Sequence, residues 1–474
     1  VICAKVNRYR TERLPGPLAA EQRRWWKEAV FYQIYPRSFR DANGDGLGDI
    51  RGIISKLDYL ASLGIDALWL SPVYDSPMDD NGYDIRNYHA IYALYGTMDD
   101  FDELLRAVHE RGMRLIMDLV INHTSDEHPW FVSARGDPAD RYRDFYIFRQ
   151  GNGEAPPNNW RSFFSGSAWS RVDNGNTYYL HLFTRKQPDL NWEHPPMREE
   201  VYRMVRWWLQ RGVDGFRLDV INMISKSPGL PDGDRDLGRM TGITGIEHFT
   251  SGPAIHEYLR ELQREAFAPY GAMSVGECPS LKTNEARYYV HEKRGELDFV
   301  FTFDHILQSG HKRYDLFDWN LNETRTALVK QQTEWRPGVW GSVFFENHDY
   351  ARIISRIGFD PHTRVPLARM VATIMFTLRG TPFVYQGQEI GSANVGFEDI
   401  SEMRDVEAFN LYHELLADGV DEDTIRRRIF HGSRDNARAP LAWSGDAGAG
   451  FTAPGSQPWI RYPSDYREHN VTAQ

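Results

Sequence analysis

The chain has 474 residues, 41% of them hydrophobic and 26% charged, with a formal net charge of −11. That composition is globular, and the acidic balance excludes the basic footprint of a nucleic-acid binder or anionic-membrane binder, leaving a neutral small molecule as the easier partner. No run of about 18 apolar residues occurs, Val1 to Leu18 carries Arg and Pro where a signal peptide needs an apolar core, and Cys3 and Cys278 are too few for a disulfide framework, so a cytoplasmic protein is expected.

From residue 25 onward, short β-rich apolar runs alternate with amphipathic helical stretches, the pattern of parallel βαβ units. Strands are predicted at 31–35, 66–70, 114–119, 214–218, 273–276, 298–302, 342–346 and 382–385. Apolar positions at three- and four-residue spacing predict helices at 53–63, 99–111, 199–211 and 363–378. Eight such strands imply an α/β fold, a (β/α)8 TIM barrel. The connection between the third and fourth strands is far longer than an ordinary βα loop. It predicts an inserted subdomain B at 124–195, which splits the barrel into 25–123 and 196–390. A further subdomain follows the eighth strand at 391–474, rich in Asp, Glu, Arg and Gly and without an obvious closing helix.

In such a barrel the reactive groups stand at the C-terminal ends of the strands, where the βα loops converge. The fourth predicted strand runs into Arg217-Leu-Asp219, the fifth ends in Gly276-Glu277, and the seventh leads to Asn347-His348-Asp349. Three carboxylates from three strands therefore meet at one mouth. Two carboxyl groups flanking a glycosidic bond are the minimum apparatus for its hydrolysis. Arg217, two residues before Asp219, shares its side of the strand and is expected to hold that carboxylate ionised. The aromatic content of 13%, with 14 Trp and 24 Tyr, suits sugar faces.

The ordered motifs Asp118-Leu-Val-Ile-Asn122-His123, Gly215-Phe-Arg217-Leu-Asp219, Gly276-Glu277 and Asn347-His348-Asp349 resemble those of the α-amylase family of glycoside hydrolases, in its oligo-1,6-glucosidase and α-glucosidase branch, over about 25–465. The resemblance implies a retaining, exo-acting hydrolase of terminal α-linked glucose, with Asp219 as nucleophile, Glu277 as general acid/base and Asp349 as the carboxylate that stabilises the distorted transition state. It further implies that His123 and His348 bind hydroxyls, that Asp80 grips the terminal glucose with Tyr83 stacked beneath it, and that Arg352 and Arg404 line the entrance. In the loop Asp41-Ala-Asn43-Gly-Asp45-Gly-Leu47-Gly-Asp49, hard oxygen donors recur at alternate positions. The resemblance makes it a structural Ca2+ site through Asp41, Asn43, Asp45, Asp49 and the Leu47 carbonyl, although the same residues also build a metal-free Asx-turn loop.

Val220 follows the nucleophile position. The resemblance associates Val there with α-1,6 linkages, because a β-branched side chain narrows the leaving-group subsite. Maltose, sucrose and transfer to sugars remain alternatives within the family. The stretch Phe303 to His311 lacks the Arg-Leu-Asp-Arg-Asp run of many sucrose isomerases, and a non-catalytic transporter-subunit reading would require a membrane helix and a damaged triad. The chain departs from the family pattern at Tyr350-Ala351 and within Arg434 to Trp443. It also stops before the usual closing helix and C-terminal β-sandwich, for which exposed barrel surface is the expected cost.

Overall fold

The computed structural model describes residues 24–172, 175–335, 338–358, 360 and 362–474. Cys3 and the leader Val1–Leu18 lie outside them. Eight parallel strands form one sheet: β1 Phe31–Ile34, β2 Ala67–Leu70, β3 Arg114–Leu119, β4 Gly215–Leu218, β5 Met273–Glu277, β6 Phe299–Phe301, β7 Ser342–Val343 and β8 Thr381–Tyr385. Their order is β6-β5-β4-β3-β2-β1-β8-β7, so consecutive strands are neighbours and β6 meets β7 at a seam. There the Ser342 hydroxyl donates to the Val300 carbonyl at 3.0 Å. Every residue of β1, β2, β4 and β5 is buried, as expected of parallel strands covered on both faces.

The predicted strands are matched to within a residue or two, except the seventh, whose ladder stops at Val343. Helices α1 Met98–Glu110, α2 Pro195–Arg211, α3 Leu321–Glu334 and α4 Arg364–Thr377 cover the barrel. The helix predicted at 53–63 is broken into Ile50–Ile54 and Leu57–Ser62, with Lys56 between them outside helical dihedrals. α4 leaves Val365, Met370 and Phe376 exposed.

Between β3 and α2 the chain forms a three-stranded antiparallel sheet, with Thr177–Leu180 between Phe148–Gln150 and Trp169–Arg171. Bridges His123↔Asp189 and Tyr146↔Leu190 tie it to the end of β3. After β8 the chain forms helices Val406–Ala417, Glu422–Gly432 and Asp435–Arg438. It then returns to the loop after β1, where Trp443 Nε1 donates to the Phe39 carbonyl at 2.7 Å and Trp459 N–H to the Gly46 carbonyl at 3.0 Å. Gly46 has φ +90°, and a Cβ there would strike the Gln457 carbonyl, so only glycine fits this clasp. Among the described residues no helix is long and apolar enough to cross a membrane.

Candidate active site

Strand ends β3, β4 and β5 deliver three carboxylates to one cation. Arg217 Nη1 donates to Asp118 Oδ1 at 2.6 Å and to Asp219 Oδ1 at 2.7 Å, and its Nη2 pairs with Glu277 Oε2 at 2.7 Å. The guanidinium is 1% exposed and lies over the rings of Trp69 and Tyr83. The expected Arg217–Asp219 contact is present, but the guanidinium is shared with Asp118 and Glu277 rather than dedicated to Asp219. Burial pushes the Asp219 carboxyl well above the ordinary range; Arg217 pulls it back, and Glu277 and Asp118 push it up again. Glu277 is likewise raised by burial, against the pull of Arg217 and with the push of Asp349 and Asp118. Because these groups share one counter-ion, their protons belong to the cluster as a unit.

Asp349 stands in the opposite environment. Arg438 Nη2 lies 3.1 Å and Arg434 Nη1 3.4 Å from its Oδ1, and His348 Nε2 lies 3.2 Å from its Oδ2. Against the upward push of burial, His348, Arg434 and Arg438 hold this carboxyl well below the usual range. Arg434 reaches further, to Asp80 Oδ1 at 3.1 Å and Asp405 Oδ1 at 2.6 Å. Gln187 Nε2 donates to the other Asp80 oxygen at 3.1 Å.

A hydrogen-bond relay joins the two halves. Gln33 Nε2 donates to His348 Nδ1 at 2.8 Å, which leaves the His348 proton on Nε2, 2.6 Å from the Tyr83 hydroxyl. That hydroxyl in turn donates to Asp118 Oδ2 at 2.9 Å. Burial pushes His348 down to about 3, so the ring is neutral and the relay keeps one direction. His123 is pushed down to about 4 by burial, and its Nε2 donates to the Tyr83 carbonyl at 3.1 Å.

Val220 adopts φ 36° and ψ 39°, a left-handed conformation strained for a β-branched residue. This turn directs its N–H toward Glu277 Oε2 at 3.4 Å and packs its side chain with Met223 and the insert's Trp169, Tyr178 and Leu182.

The structure thus brings together Asp219, Glu277, Asp349, Asp80, Tyr83, His123, Arg217, Val220 and His348. It does not bring Arg352 or Arg404 to them. The buried Arg352 guanidinium is spent on Glu346 and on the carbonyls of Gln386 and Ala437. The exposed Arg404 holds the carbonyls of Ser401, Met403 and Trp459. Beside Arg217, the arginines paired with the cleft's carboxylates are Arg434 and Arg438. The sequence marks Arg434 to Trp443 only as a departure from the family pattern and assigns neither arginine to the site, although the Arg434-Asp-Asn-Ala-Arg438 spacing is that of one helical turn.

The loop 41–49 closes on its own amides. Asp41 accepts from Gly44 at 2.6 Å, from Gly46 at 2.8 Å and from the Thr452 hydroxyl, while Asp49 accepts from Ala42 at 2.8 Å and Gly52 at 2.6 Å. Asp45 accepts from Leu47 at 2.8 Å and Asn43 from Asp45 at 2.9 Å. The donors fit a hard cation in kind, but among the described residues no three His, Cys, Asp or Glu side chains are grouped to hold a metal ion.

Comparison with known proteins gives the same frame. The family model for the α-amylase catalytic domain matches residues 33–474. An oligo-1,6-glucosidase of Parageobacillus thermoglucosidasius is 50% identical over 455 residues, covering 95% of this chain and 80% of that protein. A trehalose-6-phosphate hydrolase of Bacillus subtilis is 44% identical over 462 residues, with 96% and 80% covered. Among solved structures, the isomaltulose synthase of Klebsiella sp. LX3 superposes with a TM-score of 0.91 at 42% identity, covering 95% of this chain and 81% of that one. With strand-end carboxylates in a parallel barrel and a family model spanning nearly all described residues, the chain belongs to the α-amylase family of glycoside hydrolases.

Proposed function

We propose that the chain is a retaining α-glucosidase that removes terminal glucose from short oligosaccharides, with α-1,6 linkages preferred. The observation that carries the reading is the split of the site's carboxylates into a cation-poor group around Arg217 and a cation-rich Asp349. In the first step Asp219 attacks the anomeric carbon while Glu277 gives its proton to the leaving glycosidic oxygen, forming a covalent glucosyl-Asp219. In the second, Glu277 takes a proton from water, whose oxygen attacks the same carbon and frees Asp219. Burial raises both carboxyls, and the reading assigns the proton of this Arg217-linked pair to Glu277, the acid, and the anion to Asp219, bonded to Arg217 Nη1 at 2.7 Å. Asp349 stays ionised and favours the positive charge that develops on the sugar ring. Asp80, held by Gln187 and Arg434, anchors the terminal glucose and makes the site end-on.

The 1,6 preference is supported by the 50% identity to an oligo-1,6-glucosidase and by the presence of Val at position 220, directly after the proposed nucleophile, with its N–H 3.4 Å from Glu277 Oε2. Glucose release from isomaltose, maltose, sucrose and trehalose tests the reading. The highest kcat/KM is expected on isomaltose, and release from none of the four would overturn it. Val220→Ala is expected to raise the maltose-to-isomaltose ratio of kcat/KM by about 10- to 200-fold, and a ratio moving less than about twofold would leave Val220 as packing only.

Calcium at Asp41, Asn43, Asp45, Leu47 and Asp49 is proposed on donor type. The ion would cross-link the loop after β1 to the clasp at Thr452 and Trp459. Added calcium should then raise the Tm of metal-stripped protein by mass action, and an unchanged Tm would leave the Asx-turn hydrogen bonds as the whole support.

A further inference from the structure

A second cavity, of about 210 Å3, lies between α2 and the base of the insert, and no residue of the carboxylate cleft lines it. It opens to solvent on one side and has room for one pyranose ring. Tyr88, His128 and Trp130 line it as a group of edge-to-face rings, with His128 5.7 Å from Tyr88 and 4.6 Å from Trp130. His128 Nδ1 accepts the Trp130 N–H at 3.2 Å, which places the ring proton on Nε2. Among the described residues, neither that Nε2 nor either ring nitrogen of His89, also in the lining, makes a hydrogen bond.

Such a cavity has little net charge to offer an ion. Burial pushes His128 down to about 3, so its imidazole is neutral; His89, at the exposed mouth, is lowered as well, and at the rim Glu200 pairs with Arg203 at 2.8 Å. Aromatic faces beside uncharged donors and acceptors match a ligand with apolar C–H faces and hydroxyl edges. The sugar such a ligand resembles is the one the cleft is proposed to release.

We propose that this cavity is a second, non-catalytic site for glucose. It takes only the identity of the sugar from the proposed activity. It is joined to the cleft through Tyr88, whose hydroxyl donates to the carbonyls of Val120 at 2.8 Å and His123 at 3.2 Å. Occupancy therefore bears on the segment that carries His123.

The test is a titration of the full chain with glucose, followed by NMR at the Trp130 indole N–H, assigned through Trp130→Phe. It needs no turnover, so its failure and failure of the glucosidase reading are distinguishable. The resonance is expected to shift saturably both in the native chain and in Asp80→Ala, which disables the grip in the cleft. His89→Ala should weaken the response about fivefold, the loss of one hydrogen bond, and Asn87→Trp, which places an indole in the mouth, should abolish it while activity on isomaltose persists. No saturable shift, a shift that disappears in Asp80→Ala, or one that survives Asn87→Trp would each overturn the proposal.

Discussion

Asp349 and the Asp118–Asp219–Glu277 group are the same chemical function in the same buried mouth, yet their protonation is pushed in opposite directions. Three carboxylates on β3, β4 and β5 share the single Arg217, whereas one carboxylate after β7 receives Arg434, Arg438 and the edge of His348. Burial raises all of them, so the number of cations per carboxylate decides which keeps a proton. The comparison teaches how a site divides labour: the strand-borne half shares one cation between a carboxyl that must carry a proton and a carboxylate that must attack, and the loop-clamped half is held charged.

The largest effect is expected from Asp219→Asn, which removes the attacking oxygen with almost no change of volume. Turnover should fall by roughly 10^4-fold or more while the melting curve stays cooperative. Near-normal turnover would move the nucleophile elsewhere in the strand-borne half.

Arg434→Met attacks the other half. It leaves Asp405 and Asp80 buried without their principal cation, and truncating one partner of a buried ion pair costs about 3–5 kcal/mol. Urea unfolding at neutral pH should show a loss of that order, accompanied by a raised KM as Asp80 loses its hold. The sign of the pH dependence follows from Asp349 and Asp405, both lowered in the folded state. Their contribution is present above the unfolded carboxylate pKa of about 3.9 and is lost as pH falls through the folded values. The difference between native chain and variant should accordingly shrink on acidification. Unchanged stability would mean that Arg438 and His348 hold the cation-rich half unaided.

The smallest change expected is a shift of a pH profile. Asp118 raises Glu277 by its charge and competes with it for Arg217. Asp118→Asn should therefore lower the Glu277 carboxyl and move the basic limb of kcat/KM to lower pH. A limb that moves upward, or stays put, would contradict the shared-cation account.

How much of this was legible in the sequence depended on how locally each feature is determined. The barrel strands could be found because a parallel strand buried on both faces is apolar throughout, and the carboxylates because barrel topology fixes the side on which strand ends emerge. Arg217 was placed correctly by strand alternation, but its sharing with Asp118 and Glu277 arises from lateral neighbours that no single strand encodes. Arg352 and Arg404 were misread for the same reason. Arg352 follows a motif and Arg404 does not, yet for both the destinations of the guanidinium groups, Ala437 and Trp459, are brought in by the long aperiodic return after β8. The break of the 53–63 helix at Lys56 has a local apolar stripe on both sides, and only the structure separates the two short pieces.

The central claim is that Asp219 and Glu277 work as nucleophile and acid/base on one face-retaining path. It is tested most directly by recording the anomer of the first glucose released from isomaltose, before mutarotation. The account predicts α-glucose, from two displacements at one carbon; initial β-glucose would mean a single displacement by water, and would contradict it.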